Sequence, residues 1–519
     1  MIPGATTSDP QKPENGELLS KSISASSSTG FDQFAVIEAK ASLARWMNRA
    51  IIVFLILFAL SVPHSIAVSQ ISLGLGLLAW LLRDLALRKF HFARTPIDLP
   101  LGCFIGLTIL SSIFSVEPSI SLAKLKTLVL FTTIYLIVTN LRPRGVQLLA
   151  GLMILSSLVG VGFSLLEKIQ GRGMIITSIE ADSPLAQSDL RPGDVIWMIS
   201  RTRVISPEDG AAIFRRHRSG EKLDVEALHA GDPVPVTITV TDGLKAKPNP
   251  LGITTSGRSR QFRVSGFSRQ FLTYAEQMQI LAMLAFGGML AGILAKRRQM
   301  RWKWLLLCAT LFVLFGLALV LTASRAVIAS FILALLITAI SAGRKTVMVA
   351  LIAAALLGAL GIYVVTSARQ QIMASFSDDS TARRIGYMQA GLRVIPQHPL
   401  LGVGMDSHKR HWQEWGFPGN YVTHTHSTPI QIAMERGLPA LVCYGWLIAA
   451  LLLATARSFK QKSQPETQAG LFSASLPLGV FGAVIGFSLS SLINYNFGDS
   501  EALTMLLFVI GLFFTTNRK

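Results

Sequence analysis

The sequence predicts an all-α polytopic membrane protein of about twelve transmembrane helices, with a small α+β domain inserted between two of them. Of its 519 residues, 51% are hydrophobic and only 15% are charged, and the mean hydropathy is +0.49. Apolar runs long enough to cross about 30 Å of hydrocarbon recur about twelve times. Basic residues cluster in alternate connections between these runs. The chain is therefore predicted to lie in a membrane.

The predicted spans fall into three groups, separated by two long polar excursions. In chain order they are 48–66, 68–84, 99–116, 122–140 and 146–166, then 274–295, 304–323, 325–342 and 346–366, then 428–455, 469–493 and 501–515. The corresponding predicted segments are 47–167, 274–366 and 428–519. Residues 1–46 are rich in Ser, Lys and Glu and are predicted to form a disordered cytoplasmic tail.

The basic connections predict the orientation. They contain Arg83, Arg88, Lys89 and Arg94, then Arg142 and Arg144, Lys296, Arg297, Arg298, Arg301 and Lys303, Arg344 and Lys345, Arg457, Lys460 and Lys462, and finally Arg518 and Lys519. Positive charge favours the cytoplasmic side, so both termini are predicted to be cytoplasmic and both excursions periplasmic. This pattern explains much of the net charge of +19 and argues against nucleic-acid binding. The three cysteines lie in separate apolar runs and offer neither a disulfide framework nor a zinc site.

The first excursion is predicted to hold a separate domain over residues 168–245, followed by a periplasmic linker over 246–273. It contains Ser183-Pro184-Leu185-Ala186 and Gly193-Asp194-Val195-Ile196, then a predicted helix at 207–216 and a predicted strand at 234–240. These signatures resemble those of a bacterial PDZ domain. The resemblance implies either a peptide or protein ligand, added as a strand to a sheet edge, or a docking or spacer role. Gly171-Arg172-Gly173 is a poor version of the expected carboxylate-binding loop.

The second excursion, 367–427, ends in the segment that is most informative about chemistry. His424-Thr425-His426-Ser427 immediately precedes the tenth predicted span, and nine residues separate Ser427 from Gly437. With Ser324-Arg325 at the outward end of an earlier span, this order resembles the O-antigen ligase and polymerase superfamily of bacterial membrane glycosyltransferases. The family motif continues with two residues and a glycine, where this chain has the small residue Ala440.

The resemblance implies a GT-C-like architecture in the bacterial inner membrane and a periplasmic active site. The implied donor is a glycan on undecaprenyl pyrophosphate, and the implied acceptor is lipid A core or another glycan. His426 is the predicted base, with His424 in a supporting role. Arg325, and with it Arg263 or Arg384, is predicted to bind the pyrophosphate, so no cofactor or metal is expected and inversion at the anomeric carbon follows from a single displacement.

Several alternatives remain at this stage. Arg263 could be a solvated charge at the membrane surface, and Arg384 could pair with Asp378 or Asp379. A polymerase would differ from a ligase only in its acceptor. His408, His411, His424 and His426 could hold zinc with Asp406 or Glu414, although their spacing matches no recognised site. A non-catalytic transporter or assembly protein that uses the PDZ-like domain is the alternative of another class. An intramembrane metalloprotease is disfavoured because the sequence lacks the motif His-Glu-x-x-His.

Overall fold

The computed structural model of the chain describes residues 16–229, 232–260, 262–268, 270–295, 298–372, 379–419, 424–461 and 468–518. Residues 1–15 of the predicted tail and residues 373–378 and 420–423 of the predicted large loop lie outside these ranges, as do Lys296, Arg297, Lys462 and Lys519. The fold has three parts: a bundle of membrane helices, a small sheet domain, and a second excursion that covers one end of the bundle.

The first group of apolar helices precedes the sheet domain. It comprises α1 (Gly16–Ser61), α2 (Ile66–Leu87), α3 (Asp98–Ile113), the short α4 (Pro118–Lys124), a 3-10 segment (Leu125–Phe131) that continues into α5 (Thr132–Asn140), and α6 (Pro143–Gln170). Residues 16–46 belong to α1, which differs from the disordered tail predicted there. The sequence contains no proline between 16 and 61 to end the helix, and Pro63 follows its end.

The sheet domain is a small α+β unit, as the PDZ resemblance predicts. It contains β1 (Met174–Ile179), β2 (Val195–Ile199), β3 (Thr202–Arg203), α7 (Pro207–Arg216), β4 (Lys222–His229), β5 (Asp232–Thr239), α8 (Asp242–Ala246) and β6 (Ile253–Thr255). The strand order is β5-β4-β2-β1-β6, with β3 paired to β2, and every pairing is antiparallel.

The domain extends further than the predicted boundary at residue 245. β6 lies inside the predicted linker and pairs with β1, and the pairing continues as a bridge between Arg172 and Ser259. Leu251 and Ile253 are buried in the core of the domain. Their apolar side chains therefore draw the linker into the sheet. The Gly171-Arg172-Gly173 segment lies beside this extension, because Arg172 and Ser259 exchange backbone hydrogen bonds of 2.7 and 3.1 Å.

The remaining helices complete the membrane bundle. They are α9 (Phe271–Leu294), α10 (Arg298–Leu321), α11 (Arg325–Ala342), α12 (Arg344–Ile372), α13 (Asp379–Val394), α14 (Thr428–Gln461), α15 (Gln468–Ser490) and α16 (Ser500–Thr516). The exception is α13, which is short, polar and part of the second excursion. α9 and α15 are the most buried of the long apolar helices and form the centre of the bundle.

Ten helical stretches among the described residues are long and apolar enough to cross a membrane. Two shorter apolar helices, α3 and α16, coincide with the other two predicted spans. The multi-pass membrane prediction is therefore confirmed in kind, whereas the number of twelve spans and their orientation stay predictions. Each predicted span has a helix at its position.

Candidate active site

The candidate site lies where the second excursion meets one end of the bundle, and a break in α14 shapes it. Gly437 has φ 84° and ψ 167°, so the helix is interrupted there. A side chain at Gly437 would place its Cβ 2.1 Å from the carbonyl oxygen of Leu400. The glycine of the motif is thus explained locally: it supplies both the unusual backbone angle and the space for a neighbouring segment of the chain.

The excursion fills this break with backbone hydrogen bonds. The N–H groups of Val403 and Gly404 donate to the carbonyl groups of Met434 and Glu435 at 2.9 and 2.8 Å, and Leu438 donates to Pro399 at 2.8 Å. These bonds satisfy carbonyl and amide groups that the broken helix leaves open. The excursion is therefore fixed to α14 by its main chain.

Hydroxyl groups fix the same excursion to the end of α3. Ser115 Oγ lies 2.8 Å from the hydroxyls of both Ser121 and Ser407 and donates to the carbonyl of Val403 at 2.9 Å. Ser111 Oγ donates to the carbonyl of Glu435 at 2.7 Å. All four serines are buried. Sequence reasoning did not identify this cluster, because Ser407 lies almost 300 positions after the other three serines.

The two motif histidines lie just before α14. The backbone N–H of His426 donates to Nδ1 of His424 at 3.1 Å, and the ring centroids are 4.3 Å apart. His426 has φ 55°, a left-handed conformation that is uncommon for a residue with a side chain. Thr425 between them is buried, and its N–H donates to Oε1 of Gln431 at 2.8 Å. The first turn of α14 thus holds the histidine segment.

The hydrogen bond between the histidines distinguishes their chemistry. Because Nδ1 of His424 accepts a hydrogen bond, the neutral ring carries its proton on Nε2 and is a donor there. Nδ1 of His426 is buried and has no hydrogen-bond partner among the described residues. His424 is therefore arranged to donate, and His426 retains an unused ring nitrogen.

Both histidines are held in the neutral form. Burial, with the charge of neighbouring His426 and smaller contributions from His408, Arg384 and Lys409, lowers the pKa of His424 to about 3. Burial and the positive charge of Arg384 lower the pKa of His426 to about 4. Neutral imidazole is the form that can accept a proton.

Helix α13 covers the histidine pair with Arg384 and Tyr387. Tyr387 is buried, and its ring is stacked on that of His426 with centroids 5.5 Å apart. Arg384 lies three residues earlier, on the same face of the helix, and is half-buried. The structure therefore brings together His424, His426 and Arg384 of the predicted site. The spacing of three residues from Arg384 was the signal that could have identified Tyr387.

Arg325 and Arg263 lie beside a second contact, between the segment before α9 and the turn before α11. Arg325 is the first residue of α11 and is exposed. Arg263 is half-buried, with its guanidinium 4.5 Å from the centre of the Phe271 ring. The N–H of Val264 donates to the carbonyl of Leu321 at 3.3 Å, which brings the segment of Arg263 to the turn that precedes Arg325. The pyrophosphate roles of these arginines, and of Arg384, stay predictions.

A cavity of about 700 Å³ opens beside His424 and Tyr495. On one side it is lined by Lys124, Lys409 and Asp406. Although burial alone would raise the pKa of Asp406, its carboxylate is 2.9 Å from Lys124 and 3.0 Å from Lys409, and these ion pairs lower the pKa below its usual value. This wall is thus polar and carries one net positive charge.

The lining of this cavity also contains acidic residues. They are Glu276, Asp499 and Glu501. Glu276 is fully buried, and its Oε1 accepts hydrogen bonds from Ser490 and Asn496. Asp499 accepts from Thr273, and burial raises the pKa of its carboxyl group. The cavity therefore presents both cationic and acidic groups, which suits a ligand with both phosphate and hydroxyl groups.

The four histidines considered for zinc do not converge. His411 stacks on Trp415 and pairs with Glu414 at 2.6 Å. The carboxylates of Glu414 and Glu117 raise the pKa of His411. Among the described residues, the group with metal-ligand proximity is Asp406, His408 and Glu435. Two lysine ammonium groups already contact Asp406, and their charge opposes a bound cation. This donor set does not fit a zinc site well.

Two protein-family models match segments of this chain. The protein-family model described as "O-Antigen ligase" matches residues 309–445. This range contains Arg325, Arg384, both motif histidines and Gly437. The model described as "PDZ domain" matches residues 157–240. The chain carries an O-antigen ligase domain and a PDZ domain. The predicted resemblance to that superfamily, with an inserted PDZ domain, is confirmed.

A curated relative shares a short segment with this chain. The magnetosome formation protease MamE of Magnetospirillum gryphiswaldense is 37% identical over 62 residues, which is 12% of this chain and 8% of that protein. The alignment is too short to carry the function of the whole relative. The ligase domain supports a glycosyltransferase-like enzyme with glycan and lipid substrates, and the PDZ domain implies peptide binding as a class.

Proposed function

We propose that this protein transfers a glycan from undecaprenyl pyrophosphate to an acceptor hydroxyl, as an O-antigen ligase does, at the periplasmic face of the bacterial inner membrane. The observation that carries the proposal is the neutral histidine pair, in which His424 lines the 700 Å³ cavity and His426 contacts His424, within the part of the chain that matches the ligase family. Such a pair can remove a proton from a hydroxyl group without a metal ion.

In the proposed reaction, the acceptor oxygen attacks the anomeric carbon and its proton passes to His426. The bond from the anomeric carbon to the pyrophosphate oxygen breaks, and undecaprenyl pyrophosphate leaves with the additional negative charge. Arg384, which lies above the histidines, and Arg325 with Arg263 would bind its oxygens. A single displacement of this kind inverts the anomeric configuration.

The low pKa of His426 is compatible with its role as a base. The bound donor carries negative charge, and negative charge near an imidazole stabilises the protonated form. The pKa of His426 is therefore expected to rise when donor binds, so that the base becomes stronger in the complex than in the free enzyme. His424, as a donor from Nε2, would orient a phosphate or sugar oxygen.

The test is transfer by the purified protein from a lipid-linked glycan donor in the presence of EDTA. We expect undiminished transfer with EDTA, and a loss of about 10²–10⁴-fold in rate for His426→Ala, the usual range for removal of a general base. His411→Ala, which changes a histidine outside the cavity, is the matched control. Full activity of His426→Ala would exclude the proposed base.

The identity of the acceptor is tested in cells by gel analysis of lipopolysaccharide after deletion of the protein. Loss of all capped chains supports the ligase, whereas cores that carry one repeat indicate a polymerase. An unchanged pattern indicates an exopolysaccharide polymerase or a protein-glycosylating relative. Retention of glycan production by Arg325→Ala would favour a non-catalytic transporter or assembly role.

A further inference from the structure

A second cavity, of about 450 Å³, lies at the opposite end of the helix bundle from the histidines. Three arginines line it: Arg94 before α3, Arg457 in the last turns of α14, and Arg518 after α16. All three are exposed. The histidines precede the first turn of α14, so this cavity is separated from the candidate active site by the length of that helix.

The charged residues that line this cavity are all positive among the residues that the structure describes. Its described lining includes the three arginines and the polar residues Ser458, Gln461 and Asn517, and no acidic residue. One guanidinium nitrogen of Arg518 donates to the carbonyl of Val138 at 3.0 Å, which holds this side chain at the cavity wall. Guanidinium groups bind phosphate oxygens with two parallel hydrogen bonds. The mouth is thus chemically matched to a phosphate monoester or diester.

The rest of the cavity is apolar and runs along the membrane helices. Trp446, Leu453, Phe513 and Phe514 line it, together with alanines of α14. Trp446 and Leu453 are about half exposed, at 44% and 56%. Trp446 lies eleven residues before Arg457, so the lined surface extends about 16 Å along the helix from the arginines towards the middle of the membrane. A hydrocarbon chain can occupy such a surface.

We propose that this cavity binds an anionic phospholipid of the surrounding membrane, with its phosphate at the three arginines and an acyl chain beside Trp446 and Leu453. The combination of a basic mouth and an apolar extension selects a lipid over a soluble phosphate, because only a lipid fills both parts. Basic pockets between membrane helices bind acidic headgroups by the same chemistry. The site is independent of the proposed transferase reaction.

The proposal is tested by native mass spectrometry of the full-length protein in detergent, titrated with phosphatidylglycerol, phosphatidylcholine or glycerol phosphate. We expect phosphatidylglycerol to bind at least about tenfold more tightly than phosphatidylcholine, because the choline cation cancels the charge of the phosphate and is repelled by the arginines. Equal binding of the two lipids would overturn the proposal. Equal competition by glycerol phosphate would instead identify a soluble phosphate as the ligand and would overturn it as well.

Variants separate the two parts of the site. Arg457→Gln is expected to weaken phosphatidylglycerol binding about tenfold, whereas Arg344→Gln, which changes an exposed arginine at the start of α12 outside the cavity lining, leaves it unchanged. Ala449→Trp fills the apolar part without altering charge and is also expected to weaken binding. Unchanged lipid binding by Arg457→Gln or by Ala449→Trp, in protein that remains monodisperse, would refute the corresponding contact and with it the proposal.

Discussion

The two excursions at the site end of the bundle are stabilised in different ways. The PDZ domain has its own core of sixteen buried apolar residues. Among its described residues, the second excursion contributes only six to a smaller cluster, which Met434 of α14 completes, and the serines and the break of α14 supply the rest of its support. A domain with its own core depends less on its neighbours, and only Val195, Trp197 and Leu228, among the buried apolar residues of the described sheet, pack into the core of the bundle. The second excursion is held in place by its contacts with the bundle and carries the histidines. Substitutions that disrupt these contacts are therefore expected to lower transfer activity.

The largest loss of transfer activity is expected for Gly437→Ala. The new Cβ would lie 2.1 Å from the Leu400 carbonyl oxygen, and the φ of 84° disfavours any side chain. We expect transfer activity to fall below detection and the membrane domain to unfold at a lower temperature. Gly445→Ala, in the same helix, has nothing within 4 Å of the new atom and should be neutral. Normal transfer by Gly437→Ala would show that the break in α14 is not required.

The pH dependence of transfer tests the second excursion alone, because it depends on the protonation of the histidines in that excursion. Protonation removes the base, and the pKa of His426 is about 4 in the free protein. We expect kcat/KM to be level above about pH 5 and to fall by about tenfold per pH unit below the pKa, whereas kcat falls at a higher pH because the anionic donor raises the pKa. Steady-state rates at several donor concentrations provide both profiles. Identical profiles for kcat and kcat/KM would contradict the predicted shift.

A substitution in the PDZ core should have a large effect on that domain and a small one on catalysis. Phe214 is fully buried, and Phe214→Ala is expected to destabilise the domain by about 3–5 kcal/mol. Transfer activity should fall only a few-fold. Ile205→Ala, at a position that is 47% exposed, is the control. Thermal unfolding followed by limited proteolysis measures the domain separately. If activity fell as far as in Gly437→Ala, the two excursions would not be independent.

The smallest effect on transfer activity is expected at the junction between α6 and the PDZ domain. Glu167 is buried and pairs with both Arg172 and Arg203 at 2.6 Å. Glu167→Gln keeps the shape but leaves the buried guanidinium of Arg172 without its counter-charge, so we expect the domain to lose about 3–5 kcal/mol of stability. Transfer should change by less than about threefold, because the histidine site is not involved. Lys247→Gln, which breaks the exposed pair with Asp182, should leave the melting temperature unchanged. Differential scanning calorimetry distinguishes the two variants.

Local sequence patterns predicted the parts of this protein that depend on neighbours in the chain. Apolar runs located the helices, and the spacing from His426 to Gly437 identified the motif, because both are properties of continuous segments. The motif suggested close packing at Gly437 and Ala440. Ala440 is indeed fully buried, but Gly437 has the further role of interrupting the helix.

Contacts between distant segments could not be obtained in this way. Lys124 and Asp406 meet across 282 positions, and the pairing of β6 with β1 depends on an excursion of more than seventy residues. The linker around β6 has too few strand-forming residues to predict a strand by itself, and its apolar residues become informative only once the core they enter is known. Which arginine lies near the histidines also depends on tertiary structure, because neither the start of the apolar α11 at Arg325 nor the polar α13 around Arg384 indicates it.

The pairing of β1 with β6 has a consequence for how such a chain can be built. β1 follows α6 almost directly and β6 precedes α9, so the domain enters and leaves the membrane part through adjacent strands. Neighbouring strands are about 4.8 Å apart, so a short peptide could close the gap if the domain were removed. Domains whose ends are close together are the ones that insertion tolerates. This position between α6 and α9 is therefore a natural graft point, at which a reporter protein with adjacent termini could replace the PDZ domain.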